Sequence, residues 1–446
     1  MAARNITASS LPRMTFTKDD EQRYRELSDA CMNETLGLYE EFLYGNNRVV
    51  DKHRWKLVKE RENVFVYRER ARSNSASKAH GSAGYSSDDS AGSGRVQLPS
   101  QSNSHQHLNA TQYLRDLEGS LSSVDTTGMG PGAALAAKSR LPVMITTAAI
   151  PGTLEDAMYG TFVDDTATYR RRSYYQKDLS EDSAILATVA RPTREDPFQY
   201  LGIAWMLRNF PGLGAVVKRR DFLFLQRTGL ATTSRGERIG FSIMQSVSHR
   251  DLPQLIDFDI IRAHMTVCAL YRQMGDQVVD VFMQTVMHPG GNVAGFFAVQ
   301  ETATAMLSAG KSMACAHKKK LFWLMRKNAH KGLMDHSEAS SPTSSTSSGP
   351  ASSMSMTRRL QRHETDHCAS CKKSFGKLFS SGGSYCQICQ QRVCGRCSVS
   401  KKIVIDATEK SLVTKPFNFC ISCTLTTRSY PALQVHTDEL QNHLRS

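Results

Sequence analysis

Apolar and polar positions recur with recognisable periods along much of the chain. Between residues 17 and 48 the apolar side chains recur near helical spacing, which predicts one or two helices. Residues 54–70 predict a short strand pair, from Trp55 to Val58 and from Val64 to Tyr67. A strand-like run that begins at 141 meets Pro151-Gly152, and the pattern after it predicts a helix.

Short β-like runs recur between residues 165 and 298, separated by Gly and Asp clusters at about hairpin distance. In one of them Ile239, Phe241, Ile243 and Val247 alternate with polar or small positions, as in a half-buried strand. The runs therefore predict a mainly antiparallel sheet. They lie at 184–190, 220–229, 237–249, 260–273 and 277–289.

After Pro289-Gly290-Gly291 the apolar period changes to three or four residues. This predicts one continuous helix from about Phe296 to Lys327, roughly 45 Å long at ~1.5 Å per residue. Its apolar stripe is expected to pack on the sheet. The basic and aromatic end, HKKKLFWLMRK (317–327), allows a second interpretation, in which it contacts a membrane surface.

Two Ser-rich tracts divide the chain. Residues 73–138 and 334–360 hold too few apolar side chains to offset their ordering entropy, so they are predicted to be a disordered insertion and a disordered linker. A larger body would then consist of residues 17–72 and 139–333. A cysteine-rich module would follow at 361–430, with a tail at 431–446.

The formal net charge of +14 favours an acidic partner, such as an anionic membrane or an acidic protein. Nucleic acid is unlikely as the partner because no recognition motif accompanies the charge. Without an apolar run long enough to span a bilayer, or a signal-peptide core, the chain is expected to be soluble and intracellular. No phosphate-cradling loop, HExxH or GxSxG motif occurs, so we expect a protein that is not an enzyme.

Eight of the eleven cysteines form four C-x-x-C pairs between residues 368 and 423. Two such pairs provide four thiolates for one tetrahedral ion, so four pairs predict two closed zinc sites without a position for a catalytic water. In a segment this short, the metal would supply much of the stability. The predicted ligands are Cys368, Cys371, Cys386, Cys389, Cys394, Cys397, Cys420 and Cys423.

Spacing and neighbouring residues make this module resemble a FYVE-type zinc finger. The second and third pairs are four residues apart, every ligand is Cys, Phe375 follows the first pair, and KPFNFCISC (415–423) resembles the ending of that family. The resemblance implies a cross-braced fold. Cys368, Cys371, Cys394 and Cys397 would bind one zinc ion, and the other four cysteines would bind the second.

FYVE-type fingers bind phosphatidylinositol 3-phosphate through an R-[RK]-H-H-C-R motif, and here GGSYCQIC (382–389) replaces it. The W-x-x-D element is also missing before Cys368. Phosphoinositide binding on endosomal membranes and weaker binding to an anionic membrane or a protein therefore both stay open. The candidate contacts to phosphate or membrane are Lys372, Lys373, Arg392, Arg396, Lys401, Lys402, Leu378 and Phe379.

The larger body resembles a START-like lipid-binding domain. The likeness lies in RRDFLFLQ (219–226), SIMQSVSHRDLPQ (242–254), IIRAHM (260–265) and HPGGNVAG (288–295). It implies an α+β helix-grip fold, in which a curved antiparallel sheet wraps a long C-terminal helix around an apolar tunnel for a hydrophobic lipid. In the alternative, side chains fill the tunnel. The candidate lining is Met244, Met265, Met283, Met306 and Met313.

Together these features predict a lipid-binding or lipid-transfer protein that is cytoplasmic and peripheral to endosomal or other intracellular membranes. The alternative is a scaffold whose finger binds a protein partner and whose cavity is filled.

Overall fold

The computed structural model describes residues 6–70, 143–178, 180–209, 217–291, 293–337, 365–375, 383–408 and 411–445. The predicted disordered insertion at 73–138 lies outside these residues, as does most of the predicted linker at 334–360. Within the described ranges, no helix is long and apolar enough to cross a membrane.

Ten strands form one sheet, and its strand order is β1-β2-β3-β10-β9-β7-β6-β5-β4, with β8 beside β6. Every pairing is antiparallel except that of β8 with β6, so the predicted antiparallel sheet is confirmed. The strands are β1 (Trp55–Arg61), β2 (Val64–Glu69), β3 (Val143–Pro151), β4 (Ser180–Ala190), β5 (Tyr200–Arg208), β6 (Arg220–Thr232), β7 (Arg238–Ser246), β8 (Ile261–Arg262), β9 (His264–Gln273) and β10 (Val278–His288).

Both faces of the central strands are buried, and each face has its own apolar core. In β6, Phe222 and Phe224 belong to one core, whereas Leu223 and Leu225 belong to the other. Successive side chains of a strand point to opposite faces, so these strands are apolar throughout. This explains why β5, with the sequence YLGIAWMLR, shows no alternation and was not predicted.

The helices divide between the two faces. α1 packs on the face that carries Leu223 and Leu225, and Thr17 caps its N-terminus by accepting a hydrogen bond from the backbone N–H of Asp20. Helices α2, α4 and α5 contribute to the core on the opposite face. The helices of the body are α1 (Lys18–Glu40), α2 (Leu154–Thr161), α3 (Thr166–Gln176), α4 (Gly295–Met306) and α5 (Ser312–Ser337).

The prediction of one continuous helix from Phe296 to Lys327 is wrong. A 3₁₀ segment, Leu307–Lys311, separates α4 from α5, and α5 continues to Ser337. Gly310 lies in this segment, where an added Cβ would approach Cγ2 of Val64 to 3.0 Å. Glycine lowers helix stability and allows this close contact with β2, so the helical pattern is interrupted here.

The interpretation of residues 317–327 as a membrane contact is also wrong, because other parts of the chain cover this stretch. Leu321, Phe322 and Met325 are buried with Ile403 and Phe419 from the cysteine-rich module. Two of the three consecutive lysines of this stretch, Lys319 and Lys320, are buried as well. Lys319 donates to the carbonyl oxygen of Tyr159 (2.7 Å), and Lys320 donates to that of Tyr430 (2.5 Å).

The cysteine-rich module consists of two small hairpins and a helix. Its longer hairpin packs on α3 and α5, where the backbone N–H of Val404 donates to the hydroxyl of Tyr175 (2.8 Å). The module elements are β11 (Ser384–Tyr385), β12 (Arg392–Val393), β13 (Ser398–Ala407), β14 (Leu412–Cys420) and α6 (Ile421–Ser429).

The expected tail at 431–446 contains a further helix, α7 (Ala432–Arg445), which packs on the body. His436 is buried, stacks on Phe198 with 5.0 Å between ring centroids, and pairs through Nε2 with the carbonyl oxygen of Pro197 (2.6 Å). The hydroxyl of Tyr159 donates to Glu439 (2.8 Å). These contacts place the end of the chain against α2.

Candidate metal clusters and apolar cavity

The eight paired cysteines form two separate clusters. Cys368, Cys371, Cys394 and Cys397 make up one, and Cys386, Cys389, Cys420 and Cys423 make up the other. Within each cluster all four sulfur atoms lie within 4.8 Å of one another. The chain thus alternates between the clusters, which is the cross-braced arrangement expected from the resemblance.

The sulfur positions fit a tetrahedral ion in each cluster. Sγ of Cys371 lies 3.8 Å from that of Cys394, and Sγ of Cys389 lies 3.9 Å from that of Cys420. Metal–sulfur bonds of ~2.3 Å at tetrahedral angles separate the sulfurs by about 3.8 Å, far beyond the ~2.05 Å of a disulfide. Each cluster could therefore hold a metal ion.

Backbone N–H groups donate to some of the sulfurs, and the pKa is lowered at Cys368 and Cys386 but raised at Cys389, Cys397 and Cys423 by the neighbouring thiols. The N–H of Cys394 donates to Sγ of Cys368 (3.3 Å), and that of Cys423 donates to Sγ of Cys420 (3.2 Å). Burial opposes ionisation of Cys368 most strongly, yet the surrounding backbone donors lower its pKa to about 6. For Cys386, hydrogen bonds from Cys389 and Cys423 hold the pKa far below its ordinary value. Thiolates are the form that binds a metal.

The other candidate contacts are spread over the module. Lys372, Lys373, Arg396 and Lys402 are exposed. Arg392 is half-buried and engaged within the module: it donates to the carbonyl oxygen of Thr365 (3.3 Å) and covers the ring of Phe375. Lys401 lies in a cleft against the body. Leu378 and Phe379 lie outside the described residues.

A cavity of about 320 Å³ lies between the sheet and the helices α3 and α4. Methionines form much of its wall, and Phe222, Val267 and Ala269 are among its other apolar residues. Of the predicted lining, Met313 is absent and faces a different cleft. The methionines of the cavity are Met206, Met244, Met265, Met283, Met287 and Met306.

One part of the cavity wall is polar and mostly basic. Arg172 pairs with Asp178 (3.4 Å), and burial lowers the pKa of Lys311. Burial also raises the pKa of Asp178, but Arg172 and the hydroxyls of two serines outweigh it, so the net pKa is lowered. The charged residues of the wall are Arg61, Arg172, Lys177, Asp178, Arg208 and Lys311.

Three buried polar atoms of the cavity wall have no hydrogen-bond partner among the described residues. They are the hydroxyl of Tyr169, Nε of Arg172 and the hydroxyl of Thr285. Buried polar atoms are nearly always hydrogen-bonded, so these atoms are suited to the polar group of a bound molecule. The sequence pattern does not identify Tyr169 and Arg172, because TATYRRRSYYQ has no apolar stripe that would mark α3 as a helix. Asp165 accepts a hydrogen bond from the backbone N–H of Thr168 and so caps the N-terminus of α3. An acidic N-cap residue of this kind is the sequence signal that could have predicted the helix.

Neither a protein-family model nor a curated protein matches the chain. Among solved structures, human STARD10 is 12% identical, covering 62% of this chain and 79% of its own, with a TM-score of 0.33. Human StAR-related lipid transfer protein 5 is 10% identical over 65% of this chain and 97% of its own, with a TM-score of 0.35. The STAR-related lipid transfer protein of Xanthomonas axonopodis is 13% identical over 58% and 96%, with a TM-score of 0.33. At TM-scores this low, these likenesses do not show what this chain binds or does.

Proposed function

We propose that this chain is a non-enzymatic lipid-binding protein that holds one amphipathic lipid between its sheet and its C-terminal helices. The observation that carries the proposal is the methionine-lined cavity of about 320 Å³ with its polar wall. Its volume is within the range of ~300–1,000 Å³ that is usual for small-molecule sites. The cavity also counts against the alternative in which side chains fill this space.

The chemistry of the wall favours a lipid with one acyl chain and an anionic head. Methionine side chains are flexible and polarizable, so they can adapt to a chain of variable shape. Five basic residues against one aspartate would compensate a negative head group. The unpartnered atoms of Tyr169, Arg172 and Thr285 would supply its hydrogen bonds.

Zinc is the metal that we propose for both clusters. Four thiolates in a tetrahedron suit zinc, and a site with four protein ligands is structural, so the ion would stabilise the module without taking part in a reaction. The transfer of a lipid between membranes and the FYVE-type identity of the module both rest on the sequence resemblance.

The module is further proposed to bring the body to an anionic membrane, with phosphoinositide on endosomal or other intracellular membranes as the specific form. Support comes from four exposed basic residues of the module, Lys372, Lys373, Arg396 and Lys402. Binding of a protein partner is the alternative. It is favoured by Ile421 and Leu425, which are 42% and 55% exposed one turn apart on α6.

Lipid binding is tested by native mass spectrometry and by displacement of a fluorescent fatty acid from delipidated, zinc-loaded full-length protein. Met283→Trp would fill the cavity and is expected to abolish displacement. Val278→Trp is the matched control, because Val278 lies on the same strand but is 36% exposed. Equal binding by wild type and Met283→Trp would overturn the proposal.

The membrane address is tested by co-sedimentation of the full chain with vesicles. Neutral vesicles are compared with vesicles that contain phosphatidylserine or a phosphoinositide at matched charge. Preference for one phosphoinositide would support a specific address, and binding that follows charge alone would support a general one. No vesicle binding would leave the protein-partner alternative ahead. The variant Lys372→Gln/Lys373→Gln is expected to weaken binding, with Lys52→Gln/Lys56→Gln, two exposed lysines of the body, as the charge-matched control.

A further inference from the structure

A second and larger cleft lies where the cysteine-rich module meets the body. Its volume is about 590 Å³, and it is separate from the methionine-lined cavity. The body contributes the turn between β1 and β2, the end of β3 and one side of α5. The module contributes Lys401 of β13 and Leu425 and Arg428 of α6. We refer to this space as the junction cleft.

The charged side chains of the junction cleft are mainly basic. Lys318, Lys320, Lys401 and Arg428 line it together with two carboxylates, Glu62 and Asp156.

The carboxylates leave most of this positive charge uncompensated. Asp156 is occupied by Lys320 at 2.5 Å, and Glu62 lies exposed on the turn at the edge of the cleft. Among the described residues, Lys318, Lys401 and Arg428 form no ion pair. Three cations from three elements therefore share one cleft without a carboxylate partner among the described residues.

His317 supplies an independent observation that points to a ligand in the junction cleft. It lines the same cleft, and both of its ring nitrogens are buried without a hydrogen-bond partner among the described residues. Burial, followed by the charges of Arg428, Lys401, Lys320 and Lys318, lowers its pKa to about 4. The ring is therefore neutral at physiological pH, and it is held where an anion could accept a hydrogen bond from it.

We propose that the junction cleft binds a phosphate-bearing anion through Lys318, Lys401 and Arg428, and that this anion links the module to the body. Phosphate offers several strong acceptor oxygens that can bridge cations from separate elements. His317 donates to the same group. The three cations come from α5, β13 and α6, so the complete site exists only when the module is docked on the body.

Binding of an anion is coupled to protonation of His317. The charges that face this ring are Lys318 and Lys320 on α5, Lys401 on β13, Arg428 on α6, Asp156 on α2 and Glu62 on the β1–β2 turn. An anion in their midst offsets the basic charges, so it raises the pKa of His317. By linkage, the anion binds more tightly as the pH falls toward that raised value.

The test is calorimetric titration of zinc-loaded full-length protein with inorganic phosphate, sulfate and the soluble head group of a phosphoinositide. The variant Lys401→Gln/Arg428→Gln is expected to bind about tenfold more weakly, because each lost cation removes a charge-assisted hydrogen bond. The charge-matched control is Lys52→Gln/Lys56→Gln, whose residues are exposed on the body and do not line the cleft. Arg428→Gln alone, at an exposed position, covers the case in which the double variant does not fold.

Sulfate distinguishes protonation of His317 from protonation of the ligand, because the charge of sulfate does not change between about pH 8 and pH 6. Sulfate binding that strengthens over this interval, and a smaller change in His317→Gln, would support the proposal. Equal losses in the cleft variant and in its control would overturn it, since the effect would then be general charge. Unchanged binding in the cleft variants would overturn it as well.

Two arms of the experiment identify the source of the phosphate. The soluble head group is titrated in the presence of vesicles that contain the same lipid. If the vesicles compete with the head group and abolish its binding, the source is a membrane lipid. If they do not compete, the source is a soluble anion. The cavity variant Met283→Trp is expected to retain sulfate binding. Failure of the lipid-cavity proposal is thereby distinguished from failure of the junction cleft.

Discussion

The body and the cysteine-rich module are stabilised by different means. In the body, apolar side chains are buried on both faces of a ten-stranded sheet and between it and the helices. Inside the module, the buried cluster consists of Val393 and three of the cysteines themselves. Burial of apolar area can therefore stabilise the body, whereas the module has little apolar core of its own, and the metal ions proposed for its clusters would supply much of its stability.

The two regions also differ in how they use basic residues. On the module, Lys372, Lys373 and Lys402 are exposed, as a solvated charge run would be. On α5, Lys319 and Lys320 are buried and donate to carbonyl oxygens of α2 and of the segment after α6. A run of lysines can thus be a surface in one context and an internal connection in another. The lysines of α5 are internal because carbonyl oxygens of neighbouring segments accept their hydrogen bonds.

The largest expected effect comes from removing one cluster ligand. Cys386→Ser leaves three thiolates in the cluster of Cys386, Cys389, Cys420 and Cys423. The apparent free energy of zinc binding in small zinc domains is about 10–16 kcal/mol, which indicates how much stability the module can lose. We expect hydrogen exchange to show the module unfolded and the sheet of the body retained. Ser370→Ala, between two ligands and exposed, is the control. Retained protection of β13 and β14 in Cys386→Ser would contradict this division.

The matching perturbation of the body is Gly160→Ala. An added Cβ would lie 2.0 Å from the backbone oxygen of Ser312, so α2 and α5 would have to separate. Such overpacking costs about 1–3 kcal/mol or more of the free energy of unfolding, and chemical denaturation measures it.

Metal binding by the two cysteine clusters of the module should be unchanged in this variant. Gly37→Ala is the control, since nothing lies within 4 Å of its added Cβ, and it should stabilise α1 by about 0.5–1 kcal/mol. Equal stability of the two glycine variants would show that α2 and α5 are less closely packed than the structure indicates.

The contact between the regions is tested by Phe322→Ala. Phe322 is 6% exposed and packs with Ile403 and Phe419 of the module. Truncation of a buried phenylalanine costs about 3–5 kcal/mol, part of which would appear as release of the module from α5. Limited proteolysis should then cleave between the two regions faster than in wild type. Val413→Ala, at an exposed position of β14, should leave the cleavage rate unchanged.

A further effect is expected from pH. Burial and the charge of Lys319 lower the pKa of His436 to about 3 from an ordinary value of 6.5. As the pH falls below 6.5 the unfolded chain therefore binds the proton first, and stability decreases down to about pH 3. At pH 5 the expected loss is on the order of 2 kcal/mol.

Denaturation midpoints at pH 7 and pH 5 measure this loss. In His436→Gln the pH dependence should be smaller, whereas in His53→Gln, at an exposed position, it should match that of wild type. A pH dependence that His436→Gln leaves unchanged would locate the responsible groups elsewhere, for example at His264, whose pKa burial lowers to about 4.

Local patterns in the sequence determined much of this architecture. The alternation of Ile239, Phe241 and Ile243 predicts β7, and four C-x-x-C pairs predict two four-cysteine clusters, because strand periodicity and ligand spacing are properties of neighbouring residues. Tertiary structure decided the rest. The burial of Lys319 and Lys320, the position of His436 against Phe198, and the meeting of Lys318, Lys401 and Arg428 in one cleft all depend on contacts between residues far apart in the chain. No local pattern encodes such contacts, because the partners that desolvate or neutralise a side chain come together only when the chain folds.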